Sequence, residues 1–141
     1  MGAKVSSSSG STYSATITYL DKVVNFGTGT TVAGTLYYLN SSGAWTIADA
    51  DSVASGSNQM LGIAQGTSPS SNGILIKGDI TLSSTLTGWD EGVAVYASTT
   101  AGEFTTTPPS GTGDFVRVLG NCTATTNEII FDPSRDFVEL A

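Results

Sequence analysis

The chain of 141 residues has no histidine, a single cysteine and few ionised side chains. Histidine is the usual general base and the commonest transition-metal ligand, so its absence excludes Ser-His-Asp and Cys-His catalytic arrangements. The lone Cys122 excludes an internal disulfide framework and a cysteine-based zinc site, and its apolar surroundings predict a small core residue. No window approaches the length of apolar sequence that a membrane-spanning helix needs. We therefore expect no membrane partner.

Charge is scarce and one-sided. Charged residues make up 12% of the chain, against about 25% in typical soluble domains. The formal net charge is −7, and the five cations, Lys4, Lys22, Lys77, Arg117 and Arg135, are scattered. Phosphate contacts need clustered Lys and Arg, so no nucleic-acid partner is expected. Ser, Thr, Gly and Asn must cover much of the surface, and because such groups lose less than charges on leaving water, the surface suits burial against neighbouring proteins.

The remaining routes to catalysis are carboxylate pairs and oxygen-only metal sites. Glycosidases need two carboxyl groups about 5–10 Å apart in a cleft, and Glu103 with Asp114 is the pair to consider. Both Asp114, which follows a Gly, and the segment Asp90–Gly92 are typical of turns. The segment Asp49–Ser52 offers hard oxygens to Ca²⁺ but lacks the rest of a calcium-binding loop. We expect a non-enzymatic protein with no catalytic residues, no cofactor and no metal.

The apolar residues come in short runs that are typical of β-strands. From Tyr13 to Tyr19 apolar or aromatic residues alternate with Ser and Thr, which predicts a half-buried strand. Beyond Thr35 short apolar runs are separated by turn residues, and no longer window has helical periodicity. This pattern predicts an all-β fold, a small antiparallel β-barrel or sandwich.

A weak internal repeat refines this prediction. A shift of about 58 places superimposes Gly34 on Gly92, Leu36 on Ala94, Tyr38 on Tyr96, Leu61 on Leu119 and Gly62 on Gly120. One further residue in the shift places Gly43 on Gly102 and Trp45 on Phe104. Each unit contains a strand-turn-strand with Gly at the turn, which is the pattern of a hairpin. We predict an N-terminal arm with one strand over residues 1–30 and a β-domain over 31–141, with repeats at about 34–82 and 92–141.

Two segments of the chain resemble virion proteins of tailed bacteriophages. GTLYYLNSSGAWTIADADSVASGSNQMLGIAQGTSPSSNGILIKGDITL is similar to the lambda-type capsid decoration (cement) proteins. VYASTTAGEFTTTPPSGTGDFVRVLGNC and the ending IIFDPSRDFVEL also resemble modules of phage tail fibres and other virion structural proteins. The likeness covers about residues 34–141 and consists of hydrophobic and turn patterns. The lambda type carries one such unit, whereas this chain carries two.

The resemblance implies a β-tulip-like barrel that forms a homotrimer on the capsid surface and stabilises the phage head by binding the major capsid protein. It also implies that an extended N-terminal arm adds to a sheet of that partner. Here the arm would reach to about Val24, with these candidate partner-binding residues: Tyr13, Ile17, Tyr19, Leu20, Val23 and Val24. The alternative is a tail-fibre or receptor-binding (adhesin) module, which would contact other tail proteins or a cell-surface receptor. An unpaired strand outside the main domain suits either role, because it pairs readily with a foreign sheet edge.

Overall fold

Short strands rich in β-branched and aromatic residues are distributed along the described chain and make up 36% of the structure. The computed structural model describes residues 2–7, 13–18, 21–83 and 85–141. Within these ranges there is one short helix, α1, at Pro69–Asn72, and one 3₁₀ turn at Val53–Ser55. The strands are β1 Gly2–Ser7, β2 Tyr13–Thr18, β3 Lys22–Val24, β4 Leu36–Leu39, β5 Trp45–Ile47, β6 Leu61–Ala64, β7 Ile74–Thr81, β8 Ala94–Ala97, β9 Phe104–Thr105, β10 Phe115–Val116, β11 Val118–Cys122, β12 Glu128–Phe131 and β13 Val138–Glu139.

Most of these strands belong to one antiparallel sheet that is curled into a half-barrel. Its order is β5-β4-β6-β7-β12-β11-β8-β9, and β3 pairs with β7 beside this path. Strand β10 pairs with β13 in a small separate sheet, and β1 pairs with β2 in another. The predicted all-β, antiparallel fold class is confirmed.

The sheet consists of two units with the same pairing, as the internal repeat predicts. In the first unit β4 pairs with β5 and β6, and β6 pairs with β7; in the second, β8 pairs with β9 and β11, and β11 pairs with β12. The register agrees along one row, which is Leu36–Ile63–Leu75–Val23 in the first unit and Ala94–Asn121–Ile130–Asp79 in the second. It differs beyond a bulge in β11, where Tyr96 pairs with Val118 although its counterpart Tyr38 pairs with Leu61. The second half of β7 is therefore the counterpart of β3.

Backbone hydrogen bonds repeat with the same shift. The amide of Gly34 donates to the carbonyl of Ala64 at 2.8 Å, and the amide of Gly92 donates to that of Cys122 at 3.0 Å. Both glycines end a turn with positive φ, +82° and +78°, a conformation that glycine adopts at little cost. The repeated glycines of the sequence thus mark equivalent turns.

Strand β7 joins the two units. The sequence shows two apolar runs, Ile74–Ile76 and Ile80–Leu82, separated by Gly78. In the structure they form one continuous strand, in which Gly78 has φ +147°. Its first half pairs with β3 and β6, and its second half pairs with β12. The units therefore share a strand and are not separate lobes.

Two apolar clusters lie on the faces of the sheet. The larger one, the shared core, draws on both units and includes Cys122, which is 4% exposed, as the sequence predicts. The smaller one, the side cluster, lies in the first unit. The buried members of the shared core are Leu36, Ala48, Ala50, Leu61, Ile63, Leu75, Val95, Ala97, Phe115, Leu119, Cys122, Ile129 and Phe131, and those of the side cluster are Tyr37, Trp45, Ala64 and Ile74.

The N-terminal region differs from the predicted arm with one strand. It contains β1, β2 and β3, and the third of these is part of the main sheet, where Val24 pairs with Ile74. The sequence analysis predicts only the strand from Tyr13 to Tyr19 in this region, because the three residues of β3 are too few to show an alternation. The part of the described chain that pairs outside the main sheet is the β1–β2 hairpin, with its strands at Gly2–Ser7 and Tyr13–Thr18.

Candidate partner-binding surfaces

The β1–β2 hairpin is an antiparallel pair of strands. Its register places Ala3 opposite Ile17 and Val5 opposite Ala15. Ser7 lies opposite Tyr13 in the same register, and Lys4 lies opposite Thr16. The sequence analysis identified β2 but missed β1, because the run of Ser and Gly from residue 6 onward hides its alternation.

The candidate arm residues are divided by the fold. Tyr13 and Ile17 lie in β2. Tyr19 and Leu20 lie outside the described residues. Val23 is 39% exposed in β3, whereas Val24 packs against the side cluster. Two of the six residues are thus in the hairpin and two are in the main sheet.

A second surface is the outward face of the second unit, which we call the outer face. It consists of Ala94, Tyr96, Val118, Asn121 and Ile130, which lie next to each other across β8, β11 and β12. Val118 and Ile130 are 38% and 39% exposed, and Ala94 and Tyr96 are half-buried. The sequence analysis did not predict this surface, since alternation identifies a strand but not which of its faces meets the core.

Carboxylates border the outer face. Asp79 is directly opposite Ile130, and its amide donates to Oδ1 of Asp21 at 3.3 Å. Burial, followed by the nearby carboxylates of Glu128 and Asp21, raises the pKa of Asp79 above its usual value. Glu128 Oε1 accepts a hydrogen bond from the Thr123 hydroxyl at 2.9 Å. This edge of the outer face therefore carries an acidic group, in which the carboxylates of Asp21 and Glu128 repel that of Asp79.

The carboxylates considered for catalysis are not brought into one cleft. Glu103 lines a cleft of about 700 Å³ between the two units, together with Phe104 and the end of β7. Asp114 lines a different cleft of about 290 Å³. Its Oδ2 accepts a hydrogen bond from the amide of Gly111 at 2.7 Å, which is the turn interaction that the sequence predicts.

Asp49 and Asp51 likewise form a local turn. The amide of Asp51 donates to Asp49 Oδ1 at 3.2 Å. Burial raises the pKa of Asp49, and the carboxylates of Asp51 and Asp114 add to the effect. Among the described residues no three His, Cys, Asp or Glu side chains are grouped so that they could hold a metal ion.

Arg117 has a structural role that the sequence analysis did not identify. It is 6% exposed, and its guanidinium donates to the carbonyls of Ser134 at 2.7 Å, Gly56 at 2.9 Å and Gln59 at 2.6 Å. Burial lowers the pKa of this guanidinium. The available signal was a single cation inside the apolar run Phe115–Leu119, where a charge needs buried partners.

Comparisons with family models, curated proteins and solved structures find no match to this chain. In the part of the chain that the structure describes, no helix is long and apolar enough to cross a membrane.

Proposed function

We propose that this chain is a non-enzymatic structural protein of a phage virion. It acts as a capsid decoration protein that assembles as a homotrimer and stabilises the head shell by binding the major capsid protein. The observation that carries the proposal is the β1–β2 hairpin, which pairs with itself outside the main sheet.

An isolated two-stranded hairpin is marginally stable in water, so it gains stability from pairing with a further strand. The outer edges of β1 and β2 are free of the main sheet, and edges of this kind accept a strand of another protein. In a shell each attached copy would link neighbouring subunits. Many weak contacts of this type then act together through multivalency.

The surface composition supports the same proposal. Within the described residues the ion pairs are limited to Lys77 with Asp132, at 3.7 Å. Ser, Thr and Gly occupy about half of the exposed loop positions, and such groups are removed from water at low cost. A protein of this type can cover another surface without leaving many buried charges unpaired.

The proposal is tested by mass photometry of the purified full chain and by immunogold labelling of the virions that contain it. We expect a trimer, either in free solution or after release from disassembled particles, and gold over the head. A chain that is monomeric in both states contradicts the decoration role.

The alternative role, a tail-fibre or receptor-binding module, is distinguished by the same labelling. Gold at the tail tip, with none over the head, would replace the decoration role by this one. The hairpin would then join tail proteins or a cell-surface receptor through the same free edges.

A further inference from the structure

The outer face of the second unit has a buried counterpart in the first unit. The row Ala94–Asn121–Ile130 corresponds in register to Leu36–Ile63–Leu75. The latter three residues are 0%, 0% and 3% exposed, because the second unit covers them in the shared core. The two units therefore differ at this face. In the first unit it is buried in the shared core, and in the second unit it is exposed.

The open face still carries an apolar centre. Val118 and Ile130 are exposed on either side of Asn121, with Tyr96 and Ala94 beside them on β8. An apolar centre with a polar border is the usual anatomy of a protein–protein contact. A purely solvated sheet face would more often present Thr, Lys or Glu at these positions.

The border of this face is acidic. Among the described residues the ion pairs do not include Asp79 or Glu128. Two lysines lie opposite each other on β7 and β3, Lys77 and Lys22, and Lys77 is 3.7 Å from Asp132. A Lys or Arg side chain of a partner would relieve the repulsion between Asp21, Asp79 and Glu128. Charge complementarity thus indicates a basic occupant.

We infer that the outer face docks another protein whose contact surface has Lys and Arg side chains around an apolar centre. A second copy of this chain is a poor complement, since its net charge is −7 and its five cations are scattered. The inference deepens the proposed function and rests on it only for the identity of the partner as a shell protein. The outer face would be a second contact, in addition to the hairpin.

The test uses the isotope-labelled full chain and a short blocked peptide of alternating lysine and valine. We expect the peptide to shift the amide resonances of β8, β11 and β12, and a matched glutamate–valine peptide to leave them unchanged. The affinity should fall as salt is raised from 50 to 300 mM, because the border charges are screened. Ile130→Lys should weaken binding at least tenfold, whereas Ile47→Lys, at a residue 44% exposed on β5, should leave it unchanged.

Three outcomes would overturn the inference: equal binding of both peptides, shifts confined to other strands, or an oligomer of the free chain that Ile130→Lys dissolves. The last result would make a second copy the occupant. Failure here is separable from failure of the proposed function. In one such outcome, a shell protein binds the Ile130→Lys variant normally but does not bind a variant that lacks residues 2–18. This result would refute the outer-face contact and leave the decoration role standing.

Discussion

At the scale of single residues, Arg117 is the clearest case in which one side chain joins distant parts of the fold. Its three carbonyl partners belong to the loop before β6 and to the segment after β12. Arg117→Ala leaves these carbonyls without their donor, and we expect the free energy of unfolding to fall by about 3 kcal/mol. Urea denaturation followed by tryptophan fluorescence measures the change.

The matched control for this prediction is Arg135→Ala, because Arg135 is exposed. It should change the free energy of unfolding by no more than about 0.5 kcal/mol. Equal effects of the two substitutions would mean that the contacts of Arg117 contribute nothing beyond its charge.

Asp79 gives the chain a defined pH dependence. Its pKa is raised in the folded state, so the folded chain binds this proton more readily than the unfolded chain does. The contribution of Asp79 to the free energy of unfolding should therefore rise as pH falls from 7 into the acid range, and this gain should be lost as pH rises through the folded-state pKa. Asp79→Asn should be slightly more stable at pH 7, by about 0.5 kcal/mol or less because the side chain is exposed, and should gain less on acidification.

The pH prediction is checked by the difference between the two stability curves, which removes the contribution of all other carboxylates. Asp136→Asn, at an exposed position outside the acidic group, serves as the control and should run parallel to the unaltered chain. If the curve of unfolding free energy against pH for Asp79→Asn also ran parallel to that of the unaltered chain, the repulsion between the carboxylates at the border would be negligible.

At the scale of elements, the division between hairpin and sheet predicts how the N-terminus tolerates truncation. Removal of residues 2–18 takes away a hairpin that pairs with itself, so the main sheet should keep its melting temperature to within a few degrees. Removal of residues 2–24 also takes away β3, uncovers the edge of β7 and removes Val24 from the side cluster. We expect this longer deletion to cost about 2 kcal/mol, the order of one buried aliphatic side chain.

Thermal unfolding followed by circular dichroism distinguishes the two truncations. If both melt alike, β3 contributes no stability to the sheet. If the shorter deletion already unfolds the chain, the hairpin is needed by the main domain, and the attachment role of residues 2–18 must be abandoned.

The same elements show what the sequence could and could not predict. The repeat was visible because equivalent turns need glycine at equivalent positions, as at Gly34 and Gly92. The continuity of β7 could not be predicted, because a glycine between two apolar runs usually indicates a turn, whereas Gly78 lies within the strand. The outer face could not be predicted either, because Leu36 and its counterpart Ala94 occupy the same register position and only the packing of the units decides which is buried.

At the scale of the whole molecule, the shared strand and shared core predict a single cooperative unfolding transition. Trp45 lies in the side cluster of the first unit, where its indole nitrogen donates to the carbonyl of Phe26 at 2.8 Å. Trp89 packs against the shared core. Since the chain has only these two tryptophans, Trp89→Phe leaves a reporter of the first unit and Trp45→Phe leaves a reporter of the core between the units.

For each variant the midpoint of the fluorescence transition is compared with the midpoint of the circular dichroism transition of the same variant. A loss of stability caused by the substitution then affects both midpoints equally. We expect the fluorescence and dichroism midpoints to coincide in both variants, because neither unit can lose β7 or its half of the core without exposing the apolar face of the other. A fluorescence midpoint of Trp45 that lies several degrees away from the dichroism midpoint would mean that the first unit unfolds separately. In that case β7 would act as a linker between two small domains, and the buried row Leu36–Ile63–Leu75 would contribute much less stability than its burial indicates.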